Sequence, residues 1–121
     1  MNEYEMTLYS GTQVSGEHQP VRKTTYIRGK LILVESLDPK PSLEVNNHSP
    51  DGFNWGFNGS GPAQLALALL LDVSGDPDLS ARHHLAFKFA FVAAWQTSWV
   101  LSGDDIRRWL ARQEITEEVG R

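Results

Sequence analysis

The chain has 121 residues with 40% apolar content, four tryptophans and five phenylalanines, a formal charge of −4 and a pI near 5.5. That length supports one hydrophobic core, and so a single domain over residues 1–121, while the apolar fraction exceeds that of a disordered chain. The acidic balance weighs against wrapping nucleic acid, which needs a basic stripe, and the absence of cysteine removes thiol catalysis, disulfides and cysteine-ligated zinc.

The opening "MNEYEMTLYSG" is acidic and carries no apolar core of secretory length, and the longest apolar run, Leu65 to Leu71, is too short to span a bilayer. A cytoplasmic protein without membrane contact is the expectation. Residues Glu5 to Ser10 read as a short strand and "GTQVSGEHQP" as a loop. In "VRKTTYIRGKLILVE", β-branched and aromatic residues flank Gly29-Lys30. Glycine in the first of two turn positions suits a type II′ hairpin pairing Thr24–Arg28 with Leu31–Glu35; a single strand bulged at Gly29 is the competing reading. "SLDPKPSLEVNNHSPDG" holds three prolines, which makes it a connection with at most a short strand around Leu43 to Val45. Phe53, Trp55 and Phe57 then alternate in "FNWGFNGSG", so an extended backbone would place all three rings on one side.

Three helices complete the pattern. Gly61-Pro62 suits a helix start, because proline in the first turn has no amide to leave unsatisfied, and Gln64 can fold back on the cap. Ala63 to Leu71 are apolar almost all round, the mark of a helix buried on several sides, and Gly75 lies past its end near Val73. Asp76-Pro77-Asp78 supplies an N-cap, a first-turn proline and an acid suited to the helix dipole, opening a long helix that should run to about Leu101. In "SGDDIRRWL", Ser102 and Asp105 stand at capping-box spacing and Leu101 and Ile106 at staple positions. Ile106, Trp109 and Leu110 give this last helix an apolar side and Arg107, Arg108 and Arg112 a wet one, with "TEEVGR" expected to fray. The architecture is α+β: a small N-terminal antiparallel sheet followed by about three helices packed around a buried central one.

Four clusters could carry chemistry. The amides around Asn58, Gly59, Ser60 and Gly61, at a helix N-terminus, could form an anion nest; no P-loop lysine is present, Pro62 deletes one amide, and glycines serving a tight turn account for the same residues. His48 and Asp51, beside Asn46 and Asn47, could act as metal ligands or base, but no third ligand is legible and Asp51-Gly52 is a favoured turn pair. At 100° per residue, His84, Lys88, Phe91 and Trp95 share one helical arc with Trp99 at its edge, either as core with a snorkelling lysine or as an exposed aromatic patch. His83 and His84 point to different helical faces, so they are not a metal pair by themselves. The arginine face is diluted by Asp104 and Asp105.

The segment "NHSPDGFNWGFNGSGPAQLALALLLD", with "SWVLSGDDIRRWL" downstream, resembles the family catalogued as domain of unknown function 6166. That family is built around Gly-Phe/Tyr-x-Trp-Gly-Phe/Tyr-x-Gly-Ser-Gly-Pro-Ala-Gln-Leu-Ala, which Gly52 to Ala66 follow, with Asn54 and Asn58 at the variable positions. The resemblance implies a small bacterial, phage or plasmid protein and brings no activity or catalytic residue with it. On that analogy a small acidic protein of a mobile element acts by binding and blocking a host protein.

The functional expectation is therefore a non-enzymatic accessory protein that binds, and on the family analogy inhibits, another protein through Trp55, Gly59, Ser60, Gly61, Lys88 and Trp95. No catalytic residue, cofactor or metal is assigned, nucleic acid is not expected as a partner, and oligomeric state stays open. The alternative is a ligand-binding or hydrolytic protein using the Gly/Asn-rich loop 46–61. No triad or paired-carboxylate arrangement is legible, which leaves catalysis undecided.

Overall fold

A computed structural model describes residues 5–16 and 18–120. Glu17, inside the predicted loop, and Arg121, at the end of the predicted frayed tail, lie outside the described residues. The fold is α+β. Strands β1 (Glu5–Thr12), β2 (Val21–Ile27), β3 (Lys30–Ser36) and β4 (Ser98–Ser102) form one antiparallel sheet in the order β3-β2-β1-β4. The helices are α1 (Lys40–Val45), α2 (Ser60–Ser74), α3 (Pro77–Ala90) and α4 (Gly103–Val119). Among the described residues, no helix is long and apolar enough to cross a membrane.

The hairpin forms one residue away from its predicted place. Ile27 pairs with Lys30, which leaves Arg28 and Gly29 as the turn, with φ of 53° and 79°. Two positive φ values in a two-residue turn make it type I′ rather than II′, the form whose twist matches that of the strands. Arg28 takes the left-handed position that the sequence reading gave to glycine.

The segment assigned to a short strand is the helix α1. Its prolines sit where helices tolerate them: Pro39 is the N-cap and Pro41 lies in the first turn, where the missing amide has no acceptor to lose. Helix α2 behaves as its all-round apolar sequence requires, with every residue from Gly61 to Leu70 buried and Gly75 capping its end in the left-handed conformation at φ 67°. It starts slightly earlier than expected, at Ser60, with Gly59 as N-cap. Gln64 does not fold back on that cap. Its Oε1 accepts from the amides of His48 (2.7 Å) and Ser49 (3.1 Å), and its Nε2 donates to Ser42 Oγ (2.9 Å), so one buried amide pins both α1 and the loop 46–61.

Asp76 caps α3 as expected, accepting from the amide of Leu79. The helix stops at Ala90, well short of Leu101. Phe91 leaves helical geometry, Val92–Ala94 make a single 3-10 turn, and Ser98–Ser102 become β4, paired with β1 through Gly11↔Trp99 and Tyr9↔Leu101. The "SWVLS" run alternates buried Trp99 with exposed Val100, the period of a half-buried strand, and pairing with β1 outweighs helical continuation. Ser102 then caps α4, accepting from the amide of Asp105, and α4 buries Ile106, Trp109 and Leu110 as predicted. The "TEEVGR" segment does not fray through its described part; α4 continues to Val119 because Glu114 and Glu117 tie it to α3.

One face of the sheet meets the helices. Tyr9, Val21 and Trp99 on that face join Leu65, Leu69, Leu70, Phe87 and Trp109 in one core. Gly11 permits the close approach: a Cβ there would come within 2.6 Å of the Trp55 ring and 2.7 Å of Trp99 Nε1. Tyr9 donates to Asp72 Oδ2 (2.5 Å), which also holds Lys23 Nζ (2.8 Å), fastening α2 to β1 and β2. Burial first, and then Asp72, push the Tyr9 phenol far above its ordinary pKa, so it stays a neutral donor.

Candidate functional site

The loop 46–61 folds against α3. Lys88, buried, donates to Asn58 Oδ1 (2.8 Å), and its ammonium stands 4.4 Å from the centre of the Phe89 ring. The glycines of the nest-like sequence face protein. A Cβ on Gly59 would meet the Phe57 ring at 2.4 Å, and one on Gly61 would meet Asn54 Cβ at 2.7 Å. Ser60 is exposed and opens α2. The cavity beside it, lined by His18, Ser49, Phe53, Phe57 and Gly61 among others, holds about 190 Å³. That is small against the roughly 300–1,000 Å³ of a typical ligand pocket.

His48 and Asp51 diverge. Asp51 approaches His18 Nε2 at 4.0 Å, whereas His48 reaches α3, its Nε2 lying 2.9 Å from His84 Nε2. His84 Nδ1 is 2.8 Å from the carbonyl of Ala81 and must donate to it, so neutral His84 accepts from His48 at its other nitrogen. Burial, together with the charges of His48 and Lys88, lowers the pKa of His84 below its ordinary 6.5 against the opposing pull of its Ala81 hydrogen bond. An unfolded chain takes this proton near 6.5 and the folded one only at lower pH. The contribution of His84 is therefore complete above pH 6.5 and is lost as pH falls below it. The urea midpoint should drop between pH 7 and about 5.5, before ordinary carboxylates titrate, and His84→Gln should flatten that slope. An unchanged slope in the variant would place the titration elsewhere.

The aromatic residues separate. Trp55 is fully buried; its Nε1 donates to the carbonyl of Gln96 (2.8 Å) and its ring meets Trp99 edge-on at 5.7 Å. Phe53 is buried with it, but Gly56, at φ 87°, turns the chain and sends Phe57 out to solvent, so the three rings do not share one side. His84 and Lys88 stay together on α3. With the helix ended at Ala90, Phe91 packs on Phe87 and Trp109, and half-buried Trp95 stacks on Trp99 at 3.9 Å, so the predicted continuous arc does not form. The exposed rings near Lys88 are Phe57 and Phe89. On α4, Arg107 pairs with Asp104 (3.0 Å) and Arg108 with Asp105, leaving little net positive charge on that face.

Two features go beyond the sequence reading, the first being the exposure of a strand it did expect. That strand is β3, an edge strand whose seven residues are all exposed. Leu33 faces the same side as Thr25 and Thr7, and Val34 the opposite side with Thr24 and Leu8, yet Leu33 and Val34 are 49% and 48% exposed. The helices stop short of this strand, so both its faces are bare. The second is an ionic cluster between α3 and α4. Arg82 binds Asp78, Glu114 and Glu117, and His83, on the neighbouring position, turns its Nε2 toward the same two glutamates.

Residues 15–112 match the family of unknown function DUF6166. No curated protein and no solved structure matches the chain.

Proposed function

This chain belongs to the DUF6166 family of unknown function, and we propose that it is a protein-binding module that takes an extended segment of its partner onto the free edge of β3. The observation that carries this reading is the exposure of that strand: Leu31, Ile32, Leu33 and Val34 are consecutive, aliphatic and each about half open to solvent. An edge strand offers unpaired amides and carbonyls, and here they lie beside apolar side chains, the combination that strand addition uses. A register shift leaves Ile32 bulged opposite Thr25 and Tyr26, so regular pairing is offered mainly by Leu33 to Ser36. Arg22, Arg28 and Lys30 against Glu35 make the hairpin locally positive on a chain of net charge −4, which favours an acidic partner segment. Capture of such a segment inhibits the partner wherever that segment is needed in the partner's own assembly. A smaller second contact is proposed around exposed Ser60, where Phe57 and Phe89 expose their rings, with Gly59, Gly61 and Lys88 shaping the loop beneath it.

The test is affinity purification from the native host with wild-type chain and with the double variant Leu33→Lys, Val34→Lys. Both positions are exposed, so the variant should melt close to wild type. A stoichiometric partner recovered with wild type and lost with the variant is the expected result. Retention by a folded variant, or a wild-type chain that sediments as a dimer through this edge and recovers no partner, would contradict it.

A further inference from the structure

We infer that His83, Glu114 and Glu117 form a binding site for a divalent transition metal of the zinc class, joining α3 to the last turns of α4. The three side chains offer one ligand atom each, all within 4.8 Å of one another. His83 Nε2 lies 3.2 Å from Glu117 Oε1 and 3.6 Å from Glu114 Oε2. Tetrahedral ligands about 2.0–2.1 Å from zinc stand roughly 3.3 Å apart, so both separations fit a shared ion. Independently, His83 is 94% buried by its 6% exposure, and its Nε2 makes no hydrogen bond although it points at two carboxylates. With its proton on Nδ1, the imidazole presents a buried lone pair to two carboxylates that have no proton to give, and a metal ion shared among the three satisfies it.

The surroundings suit a cation. Glu114 and Glu117 stand three apart on α4 and so share a face, opposite His83 on α3. They border a cleft of about 610 Å³ lined also by Asp78, Arg82 and Glu118, which leaves a fourth coordination position open to water. Arg82 is the competing cation. Its Nη1 binds Glu117 Oε2 at 2.7 Å, but the oxygen nearest His83 is Oε1, so Arg82 can keep its bond as an outer-shell partner that orients the ligating carboxylate. Its longer contact to Glu114, 3.5 Å, is the one that a metal would displace, and Asp78, 3.2 Å from Arg82 Nε, remains to hold the guanidinium. One nitrogen with two carboxylates favours zinc over magnesium or calcium, which take oxygen alone.

The experiment uses the full chain after chelator treatment, titrated with Zn²⁺ and, as a spectroscopic probe, Co²⁺. Zn²⁺ should raise the melting temperature with saturation at one equivalent, and Co²⁺ should give visible absorption of a four- or five-coordinate ion. Loss of an outer-shell partner alone weakens metal affinity roughly 10–100-fold, so Glu117→Gln should weaken it at least that much. Glu114→Gln should do the same, and His48→Gln, at the other histidine pair, should change nothing. A wild-type chain with no saturable rise, an equal rise with Ca²⁺ or Mg²⁺, or Zn²⁺ affinity retained in both glutamine variants would overturn the assignment.

Discussion

Leu67→Asp leaves no folded protein. Leu67 is fully buried in the middle of α2, within a run of ten buried residues. Losing the leucine forfeits about 1.5–3 kcal/mol of burial, and an unpaired carboxylate adds a desolvation penalty of several kcal/mol. Together these approach the roughly 5–15 kcal/mol by which a domain of this kind is stable. The carboxyl can limit the penalty by staying protonated, but it still buries an unsatisfied polar group. Far-UV circular dichroism should show no cooperative melting transition at neutral pH. A transition like that of wild type would mean that α2 lies on a surface.

Trp55→Ala should cost about 3–5 kcal/mol, the range for truncating a buried aromatic residue. The indole fills the space over Gly11, packs edge-on against Trp99 and donates to Gln96, so truncation leaves a cavity and strands that carbonyl. Urea unfolding of the two proteins measures the difference. A variant of normal stability that failed to bind a partner would instead place Trp55 in an interface, where tryptophan is a common hot spot.

The elements legible in the sequence are those fixed by local chemistry. Apolar residues all round predict a buried α2, Asp76 and Ser102 announce their helices through caps, and Ile106, Trp109 and Leu110 declare the inner side of α4. Elements decided by distant partners were not legible. Nothing local distinguishes Ser98–Ser102 from a helical continuation, because its reason for being a strand is β1, more than eighty residues earlier. The prolines of α1 read as breakers until their first-turn positions are known. The same limit governs the sites. His48 meets His84, and His83 meets Glu114 and Glu117, only once α3 is packed, and from spacing alone none of these pairs is visible. The run Leu31 to Val34 is legible as a strand, but its exposure is set by where the helix layer ends, which no local pattern announces.

That uncovered strand is the centre of the account, and hydrogen exchange on the wild-type chain, alone and with the partner recovered from its host, tests it most directly. In the isolated protein the outward amides of residues 30–36 should exchange quickly, as those of a free edge do. In the complex they should slow, with the strongest new protection in Leu33 to Ser36. A complex that protects other segments and leaves residues 30–36 exchanging as before would contradict docking on β3.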